Sequence, residues 1–298
     1  MSEKNHNTTL TAMIANRAQT AADPAQRSLR VIGESGAQEI CRQSGKNLGE
    51  IYAAALQSNI WPMRYLRNNS ILSARDQLKL AQSCVAVIGA GGLGGHVITI
   101  LARMGIGKLC VADPDTFEAS NLNRQVLAAA ETLGTNKAAA AKNMLAAVNP
   151  AVTVRSFPRR LDKDNAAQIL AGANTAVDAL DSVSDRLVLA RACRTAGIPL
   201  VHAAIAGFEG QIMTIYPQDP GLERIYGETQ EAFEPAASPE AVMGVPGVTP
   251  AVLASLQAME TIKILLGRGR SLRNRMLYVD LENAGFQEFS FGTDPDQA

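Results

Sequence analysis

The glycine run Gly89-Ala90-Gly91-Gly92-Leu93-Gly94-Gly95 follows the apolar stretch Cys84-Val85-Ala86-Val87-Ile88 and opens a helical pattern. Glycine lets a backbone turn sharply and approach a phosphate closely. The helix N-terminus beyond offers free N–H groups and a positive dipole end. Gly89, Gly91 and Gly94 carry the GxGxxG spacing, with Gly92 inside it. Asp113 ends the next apolar run, about 20 residues past Gly94, where a carboxylate accepts from ribose hydroxyls. These glycines alone do not choose among NAD, FAD and ATP; a tight turn with close helix–strand packing is the bland alternative.

The residues further along make the choice. Asn121, Arg124 and Lys137 lie in Ser120-Asn121-Leu122-Asn123-Arg124-Gln125 and Asn136-Lys137. A dinucleotide fold has no need of an arginine and a lysine there, whereas a triphosphate gains from both. Asn121 can orient phosphate or ribose by hydrogen bonds. Asp181 is read as ending the fourth strand, in Val177-Asp178-Ala179-Leu180-Asp181. A carboxylate at that end of a strand faces the ligand crevice of an open α/β sheet, and beside a triphosphate its job is to hold Mg²⁺. Singly, Arg124 and Lys137 could be solvated surface cations. Their order along the chain with Asp181 argues for a site using ATP and Mg²⁺.

These groups need elements to position them. Short β-branched runs bounded by glycine, Cys84–Ile88 and Lys108–Ala112, read as parallel strands buried on both faces. Further strands are expected at 152–157, 175–180 and 198–204, with helices at 93–103, 136–148 (capped by Thr135), 165–171 and 185–195. This βαβ alternation predicts an α/β, Rossmann-like, doubly wound and mainly parallel sheet. Residues 210–216, 276–280 and 286–291 read as closing strands, antiparallel in part, and 217–246 as a long loop. A long apolar helix covers 249–266. Upstream, Ser73 is a good N-cap for a helix over 74–81. Residues 1–28 look like a mobile tail or frayed helix, and 29–56 turn helical. The expected domains are an N-terminal tail and helical extension over 1–60 and a nucleotide domain over 61–298.

Composition narrows the class. Lysine plus arginine and aspartate plus glutamate both total 28, so the formal charge is zero. That excludes an indiscriminate nucleic-acid binder. Apolar residues at 47% suffice for a large core, and aromatics at 4% argue against a base-stacking or carbohydrate platform. Cys41, Cys84, Cys110 and Cys193 are scattered, as in a reducing compartment. With no long apolar run and no signal pattern, a soluble cytoplasmic protein without a membrane partner is expected.

Taken in order, these segments resemble the ThiF/MoeB/HesA family, bacterial relatives of ubiquitin-activating enzymes. Further matching pieces are Arg64-Tyr65-Leu66-Arg67, Asp113-Pro114-Asp115, Gly207-Phe208-Glu209-Gly210-Gln211 and Leu256-Gln257-Ala258-Met259-Glu260-Thr261-Ile262-Lys263. The resemblance spans roughly residues 64 to 290; residues 1 to about 60 lie outside it. It implies an adenylyltransferase that uses ATP and Mg²⁺ to activate the C-terminal glycine carboxylate of a small ubiquitin-like sulfur-carrier protein ending in Gly-Gly, releasing pyrophosphate. It implies a homodimer in which the arginine matching Arg67 reaches into the other subunit's site. The catalytic set so implied is Arg67, Arg124, Lys137 and Asp181, with Asp181 on the metal. Gly89, Gly91, Gly92, Gly94, Asp113 and Asn121 complete the nucleotide contacts.

The chain departs from the family pattern in two ways. The paired CxxC motifs that hold zinc in many members are missing, near Arg224-Ile225-Tyr226-Gly227 and near the C-terminus, so no zinc is expected. Met243 stands four residues before Gly247-Val248, where many members carry a cysteine for covalent sulfur chemistry. Cys84, Cys110 and Cys193 read as inert core residues, and His202 as a packed or crevice-edge histidine. The competing functions are an NAD-dependent Rossmann oxidoreductase and a catalytically silent nucleotide-binding partner. Arg124, Lys137 and Asp181 speak against the first. Intact Arg67, Arg124, Lys137 and Asp181 speak against the second.

Overall fold

The computed structural model describes residues 2–227 and 238–291. Its N-terminal part is folded. α1 (Ser2–Arg17) leads into a hairpin of β1 (Gln19–Ala22) and β2 (Ser28–Ile32), then α2 (Glu34–Ser44), α3 (Leu48–Gln57) and β3 (Trp61–Pro62). β2 pairs antiparallel with β1 and parallel with β3. The expected tail or frayed helix over 1–28 and the helical pattern over 29–56 do not include these strands, while α1, α2 and α3 are helical. Asp23 makes the turn: its carboxylate accepts from the Arg27 amide at 2.8 Å, while Gln26 takes φ of 61°. The strand Gln-Thr-Ala-Ala has no apolar alternation, so nothing in its pattern signals a strand. Ile14, Ile40, Ile51, Tyr52 and Trp61 bury together with Tyr65 and Ala151. The extension therefore shares its core with residues beyond position 60.

A 3₁₀ turn, Met63–Asn68, and α4 (Ala74–Gln82) follow. Ser73 and Asp76 form the reciprocal cap of α4, as that serine suggests. The main chain then alternates β4 (Cys84–Ile88), α5 (Gly92–Met104), β5 (Lys108–Ala112), α6 (Lys137–Val148), β6 (Thr153–Phe157), α7 (Ala166–Ile169), β7 (Thr175–Asp178), α8 (Val183–Ala196), β8 (Leu200–Ala206) and β9 (Glu209–Ile215). Two short helices, α9 (Glu223–Tyr226) and α10 (Pro239–Met243), stand in the stretch read as a long loop, whose residues 228–237 lie outside the described residues. α11 (Val248–Leu266), β10 (Arg275–Asp280) and β11 (Gly285–Ser290) close the fold.

The large sheet has eight strands in the order β11-β10-β9-β8-β7-β4-β5-β6. Strands β8, β7, β4, β5 and β6 run parallel; β9, β10 and β11 are added antiparallel. The doubly wound reading and its antiparallel C-terminal strands hold. Side chains alternate across the sheet, as the strand period requires. Val85 and Val87 pack in a core with residues of α5, α6 and α11. Cys84, Ala86 and Ile88 face the opposite core with residues of α7 and α8. The chain winds from β4 out to β5 and β6, then crosses back to β7 on the other side of β4. The switch point, and with it the ligand crevice, lies beyond the C-terminal ends of β4 and β7. No described helix is long and apolar enough to cross a membrane.

Two local expectations shift. Asn136 caps α6, its Oδ1 accepting from the Ala139 amide at 3.1 Å, so Thr135 does not. β7 ends at Asp178, so Asp181 lies three residues past the strand rather than at its end.

Candidate functional site

The glycine loop sits at the switch point. Gly89 leaves β4 with φ of 97°, and a Cβ there would lie 2.3 Å from the Ala179 carbonyl oxygen just past β7. A Cβ on Gly94 would lie 1.8 Å from the Gly89 carbonyl oxygen. Only glycine allows both approaches, and they lock the loop between the turn after β7 and the first turn of α5. Gly91 caps α5 without a side-chain hydrogen bond, so the first-turn N–H groups face the crevice with no protein cap.

The loop is held from β5. Asp113, just past that strand, is buried; its Oδ2 accepts from the Ala90 amide at 2.7 Å and its Oδ1 from the Asp115 amide at 2.8 Å. Burial pushes the Asp113 carboxyl above the usual carboxylate range, while these two amides pull it back down. Lys137 opens α6 almost fully buried, with Nζ 3.1 Å from the exposed Asp115. Asn136 bridges the carbonyls of Asp113 and Asp115 at 3.0 Å each. Asp113, Asp115 and Lys137 thus form one connected wall of the crevice.

The segment 120–125 forms another wall. The Asn121 carbonyl accepts from the Arg124 and Gln125 amides at 3.2 and 2.9 Å, closing the turn that carries both side chains. The Asn121 side chain is buried and its Oδ1 accepts from the Glu118 amide at 3.2 Å. Arg124 lies over Gly92 and donates to the Ser120 carbonyl and to Asn123 Oδ1 at 3.0 and 2.9 Å. Gln125 lies over Gly91, is buried, and its Oε1 has no hydrogen-bond partner. An orphaned buried acceptor costs about 1–3 kcal/mol. As an acceptor it fits a hydroxyl or amino donor of a bound nucleotide, or a water, rather than a phosphate oxygen.

Asp181 is exposed beside this loop. No group of three or more His, Cys, Asp or Glu side chains among the described residues could hold a metal by itself. One free carboxylate next to a phosphate cradle is the donor set Mg²⁺ takes when phosphates and water fill its other positions.

Arg67 stands apart from the rest. Its 3₁₀ turn is tied to the far end of α5: Asn68 donates to Gln77 Oε1 at 3.0 Å, and Gln77 donates to the Met104 carbonyl at 2.8 Å. Asn149 joins the Tyr65 hydroxyl and the Ala102 carbonyl at 2.8 and 2.7 Å. The glycine loop is at the other end of that helix, whose 13 residues span about 20 Å. Arg67 itself is exposed and makes no hydrogen bond or ion pair among the described residues. The structure brings the glycines, Asp113, Asn121, Arg124 and Lys137 together, with Asp181 at the crevice edge, and leaves Arg67 outside within one chain.

The ThiF family profile matches residues 65–297. The chain belongs to the ThiF family. Among ThiF-family relatives, it is 41% identical over 221 residues to the SAMP-activating enzyme E1 of Haloferax volcanii, covering 74% of this chain and 81% of that protein. It is 37% identical over 225 residues to the sulfur carrier protein adenylyltransferase of Thermus thermophilus, with 74% and 82% covered. It is 34% identical over 224 residues to the molybdopterin-synthase adenylyltransferase of Salmonella typhimurium, with 74% and 87% covered. The solved structure of E. coli MccB with ATP shares the fold at a TM-score of 0.65 and 24% identity, over 78% of this chain and 72% of that one. Two of these relatives, from Thermus thermophilus and Salmonella typhimurium, are adenylyltransferases by name, which does not favour the oxidoreductase alternative.

The sequence reading overlooked several polar groups of this ThiF-family site. Asp115, which pairs with Lys137, sits in the quoted Asp113-Pro114-Asp115 but carried no role. Asp178 is fully buried against His202, with Oδ2 2.7 Å from Nδ1. Its signal was available, since Asp178 and Asp181 share one short segment. Gln125 likewise ends the quoted segment. The thiols of Cys84 and Cys110 are 3.8 Å apart inside the sheet, and burial pushes the Cys193 thiol up, which fits their reading as core residues.

Proposed function

We propose that this chain uses MgATP to activate the C-terminal glycine carboxylate of a small ubiquitin-like sulfur-carrier protein as an acyl-adenylate, releasing pyrophosphate. The observation that carries the reading is the uncapped, glycine-lined start of α5 between two walls, one holding Arg124 and the other Lys137. The names of the ThiF relatives support the same chemistry and the same kind of substrate.

A terminal carboxylate has an ordinary pKa of about 3.3–3.7, so it arrives ionised and needs no general base. The difficulty is bringing one anion onto the α-phosphate of another. Preorganised donors and cations lower that barrier. In this reading the first-turn amides of α5 cradle the phosphates, Lys137 and Arg124 offset their charge, and Asn121 orients phosphate or ribose. Asp113 holds the loop and faces the ribose. Asp181, with phosphate oxygens and water, would hold Mg²⁺, which neutralises the departing pyrophosphate when bound. Met243 replaces the thiol many relatives use, so the acyl-adenylate is the product handed on.

Arg67 completes the set in trans. Its distance along α5 from the loop supports a homodimer in which each site borrows Arg67 from the second copy. A cytoplasmic location fits a substrate of this kind. The test is ATP–pyrophosphate exchange by the full chain against candidate carriers ending in Gly-Gly. Exchange that requires both carrier and Mg²⁺ is expected. Absence of exchange with every such carrier, together with tight binding of a nicotinamide dinucleotide, would overturn the reading.

A further inference from the structure

Behind the turn that carries Asp181 lies a buried polar chain that the adenylation chemistry leaves unused. Arg186, on α8, is almost fully buried. Its Nε and Nη2 both donate to the Leu180 carbonyl, at 3.1 and 2.8 Å. Its Nη1 donates to the Tyr226 hydroxyl at 3.1 Å, and its Nη2 reaches Glu240 Oε1 of α10 at 3.4 Å. Tyr226, on α9, also accepts from Gln211 Nε2 at 3.1 Å and lies 3.2 Å from His202 Nε2. His202 Nδ1 is 2.7 Å from Asp178 Oδ2, and Asp178 Oδ1 accepts from the Leu180 amide at 3.0 Å.

Donor and acceptor capacity allows one consistent assignment of these protons. Tyr226 accepts from Arg186 and Gln211 and donates to His202 Nε2. His202 is then neutral and donates from Nδ1 to the Asp178 carboxylate. The chain closes on Leu180, whose N–H is held by Asp178 and whose carbonyl is held twice by Arg186. That carbonyl belongs to the peptide unit that bears the Asp181 nitrogen. Asp181 makes no hydrogen bond of its own among the described residues. The backbone leading into it is held at Leu180, by Asp178 on the N–H and by Arg186 on the carbonyl.

We propose that Arg186 is the positioning residue for Asp181, fixing that carboxylate through the Leu180 carbonyl and linking it to α10 through Glu240. This rests on the reading of Asp181 as the metal-holding group. A lysine at 186 keeps the charge but loses the fork that grips one carbonyl from two nitrogens. The linkage also gives the connection around α9 and α10 a route to the metal carboxylate: whatever displaces Glu240 loosens the same guanidinium.

The test measures Mn²⁺ affinity of the full chain in the presence of a non-hydrolysable ATP analogue, beside the Mg²⁺ dependence of exchange. Arg186→Lys is expected to weaken Mn²⁺ binding and raise the Mg²⁺ requirement roughly tenfold, the scale for residues that orient a metal ligand. Affinity for the analogue without metal should not change. In an Asp181→Asn background, Arg186→Lys should add nothing to the loss, because the group it positions is gone. An equal loss in both backgrounds, or an unchanged Mn²⁺ affinity in a folded Arg186→Lys, overturns the proposal. Should Arg186→Lys fail to fold, Glu240→Gln keeps the guanidinium and removes the carboxylate through which the proposal links it to α10. Unchanged Mn²⁺ affinity there overturns the proposal as well. If Asp181→Asn alone leaves metal binding and exchange intact, the magnesium reading itself is what fails.

Discussion

The Asp113 carboxylate and the Ala90 amide meet at 2.7 Å across 23 residues of sequence, so the acid after β5 holds the glycine loop after β4. A second amide, from Asp115, occupies its other oxygen. Asp113 therefore shapes the glycine loop, and in the proposed reading it also faces the ribose. Asp113→Ala should weaken binding of a non-hydrolysable ATP analogue by roughly one to two orders of magnitude, the scale of one or two lost charge-assisted hydrogen bonds. Calorimetric titration measures it, with a thermal melt confirming the fold. Affinity within twofold of the wild type would show that Asp113 does not organise the loop.

Asp181 is exposed and makes no packing contribution to the core. Asp181→Ala should keep the wild-type melting temperature and lose most pyrophosphate exchange, by roughly two to three orders of magnitude. Removing metal from the wild type with a chelator should abolish exchange, and Mg²⁺ alone should restore it without zinc. Near-wild-type exchange in Asp181→Ala, or one zinc per chain that resists dialysis and is needed for activity, contradicts the assignment.

Much of this site was legible because phosphate chemistry leaves local marks. Gly89 and Gly94 are set by backbone approach, and Arg124 and Lys137 by charge, so short spacing betrays them. Asp178, Arg186, His202 and Tyr226 come from four different elements and meet only once the sheet is wound. No spacing connects them. The strand after Thr175 reads two or three residues too long because apolar Ala179 and Leu180 continue its pattern, and that error placed Asp181 on the strand. The hairpin at Asp23 is hidden for the opposite reason: its strands have only four and five residues, β1 is made of small or polar ones, and a side-chain turn rather than periodicity fixes them.

The Ser73–Asp76 cap gives a pH signature. The Ser73 amide and hydroxyl hold the Asp76 carboxyl below its ordinary range. A carboxyl depressed in the folded state stabilises above its unfolded pKa of about 3.9 and loses that contribution as pH falls through the folded value. Asp76→Ala should cost about 1 kcal/mol at pH 7, the scale of a helix cap. The gap between wild type and variant should narrow below pH of about 4 and close in stronger acid. Denaturant titrations across that range measure it; a gap that stays constant or widens in acid would refute the cap's role.

The thiols should be dispensable for adenylation. Cys84, Cys110 and Cys193 are buried, and Cys41 lies on α2 of the extension. Met243 stands where the family resemblance implies a thiol in many members. A variant with all four cysteines replaced by alanine or serine should keep exchange if it folds. A folded Cys193→Ser variant without exchange would reverse the assignment and make that thiol a reactant.

The position of Arg67 sets the sharpest test. It is anchored at the Met104 end of α5, while the glycine loop opens the same helix, so the two are separated by about 20 Å of helix. If Arg67 serves the twofold mate, each site needs Asp181 from one subunit and Arg67 from the other, across an isologous interface. Arg67→Ala and Asp181→Ala should each be nearly inactive as homodimers. When the two are dissociated, mixed equally and reassociated, about half of the dimers are mixed by simple statistics. In each mixed dimer one site carries both defects and the other carries neither, so exchange should return to about a quarter of wild type by the same symmetry. Were Arg67 to act within its own chain, every site in the mixture would keep one defect. No recovery, with subunit exchange verified by mass spectrometry, would mean that Arg67 does not act across the interface.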